Sequence, residues 1–355
     1  MEIKTTFCFT LIYGLLVFGV VYFVMRRDDN LLLAQRHKTL SGVITVSGSR
    51  PTTARKNITM PRPTNKQNKT IDLTTVEPVV NPHRFEFTIH NQAACFNRNN
   101  SDGELFLVLL VKCATFEKLD REQIRKTWGG VKEVLGRRVL TMFLLGESTD
   151  PIIRKQIQEE NREFHDLIQE DFIDAYTNLT YKNMMGLKWV SMYCPQTSFV
   201  FSVDTDMMIN IVTLVKRLST MPKTSFAEGH LRTDVIVERG ENSKWAKWYI
   251  PKEVYAPERY PPFLNGACYA MSRDVAVRVF DKSKYVPFLR LDDAFVGITM
   301  NKTGIIPRFS PMYEQYSEKY AEAMKKGIGV GILHNRHRLN DTMLSLWHKL
   351  VGSQI

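Results

Sequence analysis

Apolar residues fall into runs whose spacing changes along the chain. Residues 7–25, FCFTLIYGLLVFGVVYFVM, carry no charge over about 19 positions, enough for one helix to cross a bilayer. From residue 28 to roughly 100 the periodicity disappears, as in SRPTTARKNITMPRPTNKQNKT. Such a segment buries too little apolar surface to offset its ordering entropy, so 26–103 reads as a largely unstructured stem. Buried-strand patterns begin at LFLVLLVKC (105–113), a continuous apolar run typical of a strand covered on both faces. EKLDREQIRKTW reads as a helix and VLTMFLLG (139–146) as a second buried strand. PIIRKQIQEENREF opens with a proline at a helix start, and Ile152, Ile153, Gln156, Ile157 and Phe164 form a partly apolar face. DLIQEDF is a short strand. TYKNMMGLKWVSMYC sets Tyr181, Met184, Met185, Trp189 and Met192 on one helical face for core packing, and SFVFSVD is the next strand. This alternation predicts an α/β fold: an open, mostly parallel sheet with helices on both faces over residues 104–355.

The net charge of +11 raises the question of nucleic acid, but much of the excess lies between Arg26 and Arg84, in the stem. The body is only mildly basic, which suits phosphates or membrane surfaces as well as DNA. An apolar fraction of 44% and an aromatic fraction of 11% fit a packed core rather than a disordered chain. Residues 7–25 read as an uncleaved signal anchor, because RRDD follows where a signal peptide would show a small-residue cleavage site. The flanking charges alone would keep the C-terminal side in the cytosol. Six N-x-S/T sequons, at Asn57, Asn68, Asn99, Asn178, Asn301 and Asn340, argue the opposite, since they are useful only in a lumenal chain. The expected topology is therefore a cytoplasmic tail (1–6), one span and a lumenal body. Cys8 falls in the span. Cys95, Cys113, Cys194 and Cys268 allow three pairings, and no C-x-x-C is present.

In open sheets of this kind ligands sit beyond the carboxyl ends of the strands. FVFSVDTDMM puts Asp204 and Asp206 at such an end, where two carboxylates can reach one hard cation that leaves positions open for phosphates. A local turn after the strand is the plain alternative. Haloacid-dehalogenase-type phosphatases use the same D-x-D pattern, with LDDAF as a possible late acidic motif. Their motif, however, ends the first strand of the domain and is followed by a β-branched pair rather than Met207 and Met208.

Across residues 104–350 the motifs resemble those of the β-1,3-galactosyltransferases, glycosyltransferase family 31. REQIRKTWG is similar to R-x-x-I-R-x-T-W, and FLLG follows it. The run DLIQEDFIDAYTNLTYKNMMGLKWVSMYC resembles the family's D-x-Y-x-N-L-T-x-K and K-W-x-x-x-x-C segments. SVDTDMMIN stands where the family carries D-D-D and V-F-V-N. YPPFLNGACYAMSRDVA resembles Y-P-P-Y-x-x-G-x-x-Y-x-x-S, and LDDAFVG resembles E-D-V-Y-x-G.

The resemblance implies a Golgi type II membrane enzyme of GT-A fold, with a UDP-sugar donor, Mn²⁺ and inversion at the anomeric carbon. Asp206 would hold the ion, with Asp204 on the metal or the ribose. His334 or His337 in ILHNRHR would complete the sphere. Asp293 would be the base that deprotonates the acceptor's 3-hydroxyl, with Asp292 as alternate. Arg125, and behind it Arg121, would reach UDP from the helix after the first strand, because a guanidinium forks onto phosphate or uracil oxygens. Trp128 would be packing. Gly266 would allow donor or acceptor close to the backbone, and Lys247, Trp248 and Tyr249 would offer rings to an acceptor sugar.

Several positions depart from the family pattern. Thr205 is the middle of the acidic triplet, Ser202 replaces a common Lys, and Ala294 a Val. Leu264 and Asn265 precede Gly266 where a cysteine is usual, with Cys268 two residues beyond it. The expected reaction is transfer of galactose to the 3-position of a glycan on a glycolipid or glycoprotein. N-acetylglucosamine or N-acetylgalactosamine are alternative sugars. A catalytically silent glycan-binding homologue is the non-enzymatic alternative, and the phosphatase is the third.

Overall fold

The computed structural model describes residues 77–96, 105–313, 318–327, 329–333 and 343–351. The chain divides into two compact units, 1–75 with 242–244, and 76–241 with 245–355. Among the described residues, every strand and helix belongs to the second unit. The apolar runs form strands β2 (Leu105–Lys112), β4 (Arg137–Glu147), β5 (Leu167–Ile173) and β6 (Phe199–Asp204). They lie parallel in the order β5-β4-β2-β6, and all eight residues of β2 are buried, as expected of a strand covered on both faces.

Beyond β6 the sheet changes direction. β9 (Phe263–Ser272) runs antiparallel to β6 and to β8 (Ala227–Arg232), and β10 (Arg308–Phe309) pairs with β8 in parallel. β1 (Phe87–Ile89) adds antiparallel to β5 at the other edge, and β3 (Glu133–Val134) to β4. The sheet is therefore mixed, and the expectation of a mostly parallel one holds only for its central four strands. A separate antiparallel pair joins β7 (Met207–Ile209) to β11 (Gly331–Leu333).

Two apolar clusters cover the two faces. One face packs against α3 (Leu179–Tyr193), α5 (Arg273–Ser283) and α6 (Asp292–Lys302), through residues such as Met185, Val279 and Phe295. The other packs against α1 (Lys118–Arg125), α2 (Pro151–Phe164), α4 (Ile211–Ser219) and α8 (Met343–Leu350), through Ile124, Ile157, Leu214 and Trp347. A further helix, α7, spans Glu318–Lys325. Helices on both faces agree with the sequence pattern.

The body begins earlier than residue 104. Residues 77–96, expected to be stem, pack on the sheet edge. Glu170, fully buried on β5, takes His83 Nε2 at 2.6 Å and Lys188 Nζ at 2.7 Å. Arg138 binds the carbonyls of Ala94 and Cys95, and a disulfide joins Cys95 to Cys194 at the end of α3. These contacts are long-range, so hydrophobic periodicity gives no sign of them. Cys113 and Cys268 are buried free thiols, so the four cysteines of the body form a single bridge and none of the three complete pairings left open by the sequence. Among the described residues no helix is long and apolar enough to cross a membrane; residues 7–25 lie outside them.

Candidate active site

Three separate sequence motifs meet at the carboxyl edge of the central strands. In the parallel register of β2 and β6, Lys112 lies opposite Asp204. Lys112 is the last residue of an apolar strand, and its ammonium is buried. It reaches Asp204 Oδ1 at 3.1 Å, Asp292 Oδ2 at 2.9 Å and the Gly266 carbonyl at 2.9 Å. One cation thus ties the D-x-D strand end to the acid pair that opens α6. Burial pulls the Lys112 pKa down, but Asp204 and Asp292 outweigh it and hold the pKa well above its usual value.

Asp292 is gripped from a second side. Asn183, in the middle of α3, donates to Asp292 Oδ2 at 3.0 Å and to Tyr269 Oη at 2.9 Å. Both partners aim at one oxygen, so the Asp292 side chain is held in place. Asp293 next to it is in a different state. Its Oδ1 accepts from the Ala294 N–H at 2.7 Å. Burial and the charge of Asp292 push it up to about 6, against the pull of the Ala294 and Gly266 amides and of Lys112. Gly266 faces this helix end directly: a Cβ there would lie 3.2 Å from Asp293 Cβ and 3.6 Å from Asp292 Oδ1. The absence of a side chain at 266 is what allows β9 to approach the pair.

Asp204 is pushed up to about 7. Burial is the largest cause; Lys112 opposes it, and Asp206 and Asp292 add to it. Its side chain nevertheless keeps 36% of its exposure, so water or a cation reaches it from the open side. Lys112 contacts Asp204 and Asp292 and acts through its charge on Asp293, while Asp206 adds a further carboxylate beside Asp204. That excess of carboxylate oxygen suits a hard divalent cation. Among the described residues no group of three or more His, Cys, Asp and Glu side chains is arranged to hold an ion. His334 and His337, the expected further ligands, lie outside the described residues. The strand before them is described, and its last residue, Leu333, pairs with Met207, the neighbour of Asp206.

Two expected donor-binding residues are employed elsewhere. Arg121 gives Nε and Nη2 to Glu160 at 2.8 and 2.7 Å and Nη1 to the Ala114 carbonyl. Arg125 forks onto Asp166 at 2.8 and 2.9 Å and also binds Glu160 at 2.6 Å, with its guanidinium over the rings of Phe143 and Phe164. Two guanidiniums facing two carboxylates form a neutral internal cluster. Both arginines expected to reach UDP are engaged here in joining α1 to α2 and to the start of β5. Trp128 is fully buried and donates to the Met207 carbonyl at 3.1 Å, as expected of packing. The D-x-Y-x-N-L-T-x-K run is likewise structural. Lys182 bonds Asp174 at 2.9 Å and the Cys113 carbonyl, and Thr180 closes onto the Leu289 carbonyl at 2.6 Å.

Trp245 and Trp248 stack with centroids 5.4 Å apart, and Lys247 Nζ lies 4.3 Å from the Trp248 ring. Arg290, two residues before Asp292, binds the carbonyls of Ala246 and Tyr249 at 3.2 and 2.8 Å, so these rings are tied to the acid pair's own segment. Of the sequons, Asn178 is half-buried and donates to the Ile173 carbonyl, and Asn301 is exposed in the last turn of α6. Asn57, Asn68, Asn99 and Asn340 lie outside the described residues.

Lys112 and Asn183 are the site residues that motif reading misses. Each has a signal in retrospect. Lys112 is a charge closing an eight-residue apolar strand, and Asn183 is an amide among the methionines of a buried helix.

Comparison with known proteins bears on the whole body. A galactosyltransferase family model matches residues 119–310. β-1,3-Galactosyltransferase 1 of Mus musculus is 34% identical over 246 residues, covering 68% of this chain and 72% of that protein. β-1,3-Galactosyltransferase 5 of Gorilla gorilla gorilla is 40% identical over 201 residues, covering 56% and 66%. Among solved structures, the galactosyltransferase LgtC with donor and acceptor sugar analogues overlaps 69% of this chain and 95% of its own, at 11% identity and a TM-score of 0.35. That overlap is too loose to carry an argument.

Proposed function

The chain belongs to the galactosyltransferase family and is a hexosyltransferase; from that premise we propose that it transfers galactose from UDP-galactose to the 3-hydroxyl of a glycan with inversion. The observation that carries this reading is the convergence on Lys112, which sets the D-x-D strand end and the α6 acid pair on two sides of one buried ammonium. One side suits the leaving diphosphate and the other the attacking hydroxyl.

Asp293 is the base. Its carboxylate takes the proton of the acceptor 3-hydroxyl as that oxygen bonds to the anomeric carbon. The bond from that carbon to UDP breaks on the opposite face, and its electron pair leaves with the diphosphate. A carboxyl pushed up to about 6 is more basic than an ordinary aspartate, yet is still mostly ionised at neutral pH. Asp292 is held in place by Lys112 and Asn183. It acts as a neighbouring charge that raises the basicity of Asp293.

Asp206 and Asp204 would hold Mn²⁺, with His334 or His337 as the further ligand; the pairing of Leu333 with Met207 supports that choice. When bound, the ion supplies Lewis-acid stabilisation of the charge that develops on the diphosphate. The fold carrying this site is read as GT-A, anchored in the Golgi membrane through residues 7–25 with the body in the lumen. The acceptor is a glycan on a glycolipid or glycoprotein. A disulfide and six sequons support the lumenal placement.

The test is UDP release by the purified full chain from UDP-galactose in the presence of a panel of glycan acceptors. Turnover is expected with Mn²⁺ and not in chelator, and Asp206→Ala is expected to be inactive but folded. Undiminished turnover in chelator would remove the metal role, and an active Asp206→Ala would remove that residue from the site.

A further inference from the structure

Glu117 occupies the N-cap position of α1, yet its side chain makes no cap hydrogen bond. It turns back towards the strand ends instead. Oε2 accepts from the Ala114 N–H at 2.9 Å and from Thr205 Oγ1 at 3.2 Å. Thr205 is buried and is the residue between Asp204 and Asp206. The contacts among the described residues leave Oε1 uncommitted, and the residue is half-buried. A carboxylate from the first loop of the body is thus pinned by one oxygen beside the D-x-D pair and presents the other.

The chemistry of that position narrows what it meets. Phosphate oxygens are repelled by a carboxylate, so Glu117 does not serve the diphosphate itself. It wants a donor. Its distance from the pair is one threonine side chain, so the donor must belong to the group joined directly to the diphosphate. In a nucleotide sugar two groups meet that condition, the ribose and the transferred sugar, while the base lies one ring farther out. With Asp293, the base for the acceptor, placed on the α6 side of Lys112 and Glu117 bound to the D-x-D loop, the ribose is the group assigned to Glu117. We propose that Glu117 accepts a hydrogen bond from a ribose hydroxyl of the nucleotide donor and that Thr205 holds it in that pose. This rests on the reading of the site as a UDP-sugar site.

The experiment is calorimetric titration of the full chain, at fixed Mn²⁺, with UDP, 2′-deoxy-UDP, 3′-deoxy-UDP and N3-methyl-UDP. Wild type is compared with Glu117→Ala, Glu117→Gln and Thr205→Val. Wild type is expected to bind one of the deoxy compounds roughly tenfold more weakly than UDP, the loss typical of one hydrogen bond to a charged group. Glu117→Ala is expected to lose about that factor for UDP and to stop distinguishing the deoxy compound. Glu117→Gln, the same shape without the charge, retains part of the discrimination and gives the answer if the alanine variant does not fold. Thr205→Val weakens the discrimination without abolishing it. The proposal is overturned if Glu117→Ala discriminates as wild type does. It is also overturned if the selectivity lost is that against N3-methyl-UDP, which would assign Glu117 to the base. Wild type that binds no UDP at all overturns the donor reading, and this proposal with it.

Discussion

Lys112→Met removes the ammonium that bridges Asp204 and Asp292 while keeping most of the side chain's volume. Asp292, with its side chain 7% exposed, loses a 2.9 Å ion pair and keeps only Asn183 at 3.0 Å. Removing one partner of a buried pair costs about 3–5 kcal/mol, and the surviving amide brings this to the lower end. Asp204 also loses its 3.1 Å partner, but at 36% exposure it is solvated and adds no more than about 1 kcal/mol. A net loss of about 3 kcal/mol lowers the melting temperature by roughly 6–12 °C for a domain of this size. The Asp204 part of the loss depends on pH. Lys112 is what opposes the rise of Asp204 to about 7, so without it the folded-state value goes higher still. A carboxyl whose folded pKa exceeds its unfolded one binds its proton preferentially in the folded state. Stability is then kept at low pH and lost as the pH rises from the ordinary carboxylate range through the folded value. Unfolding of wild type and Lys112→Met in chelator should therefore differ by about 3 kcal/mol through Asp292, and by up to about 1 kcal/mol more near about pH 8 than near about pH 5 through Asp204. A gap independent of pH, or one under about 1 kcal/mol at the higher pH, would refute the assignment of Lys112 as the shared counter-ion.

Asp293→Asn should keep UDP binding and lose at least about a hundredfold in transfer. In the wild type kcat/KM should rise with pH and level off above about 6, since the base works ionised; a profile flat down to pH 5 would take Asp293 out of the role. Gly266→Ala sets a methyl 3.2 Å from Asp293 Cβ, so the helix end must yield by a few tenths of an ångström. We expect about a tenfold fall in kcat, with stability changed by less than about 1 kcal/mol. Unaltered turnover would show that Asp293 tolerates the displacement. Cys194→Ser opens a disulfide that spans 99 positions and should cost about 2–5 kcal/mol, matched by adding reductant to the wild type. Equal melting with and without reductant would contradict it.

The parallel half of the sheet is legible because each of its strands is an apolar run bounded by polar turns, and β2, β4, β5 and β6 lie where the pattern puts them. β9 is not legible in that way: FLNGACYAMS mixes small and polar residues, and its direction comes from β6 and β8 on either side of it. β1 has three residues and no pattern of its own; Glu170 and the disulfide hold its segment from elsewhere in the chain. The site divides along the same line. Asp204, Asp206, Gly266, Asp292 and Asp293 stand out because each lies in a short motif of fixed spacing, and the structure brings Asp204, Gly266 and Asp292 onto Lys112 with Asp293 beside them. The internal ion pairs of Arg121 and Arg125 are hidden for the opposite reason: Glu160, which binds both, is 39 positions from the first and 35 from the second, and no local pattern shows them. Lys112 lies between these cases. Its partner is 92 positions away, but its burial is readable at once from LFLVLLVK. Burying an ammonium costs several kcal/mol unless a carboxylate meets it. A lysine ending a strand buried on both faces therefore implies an acidic residue at the end of a neighbouring strand, and FVFSVD supplies one in the register that parallel pairing requires. On that argument D-x-D at a strand terminus is more than a turn whenever another buried strand of the same sheet ends in a lysine, and Lys112→Met is the variant in which that inference meets measurement.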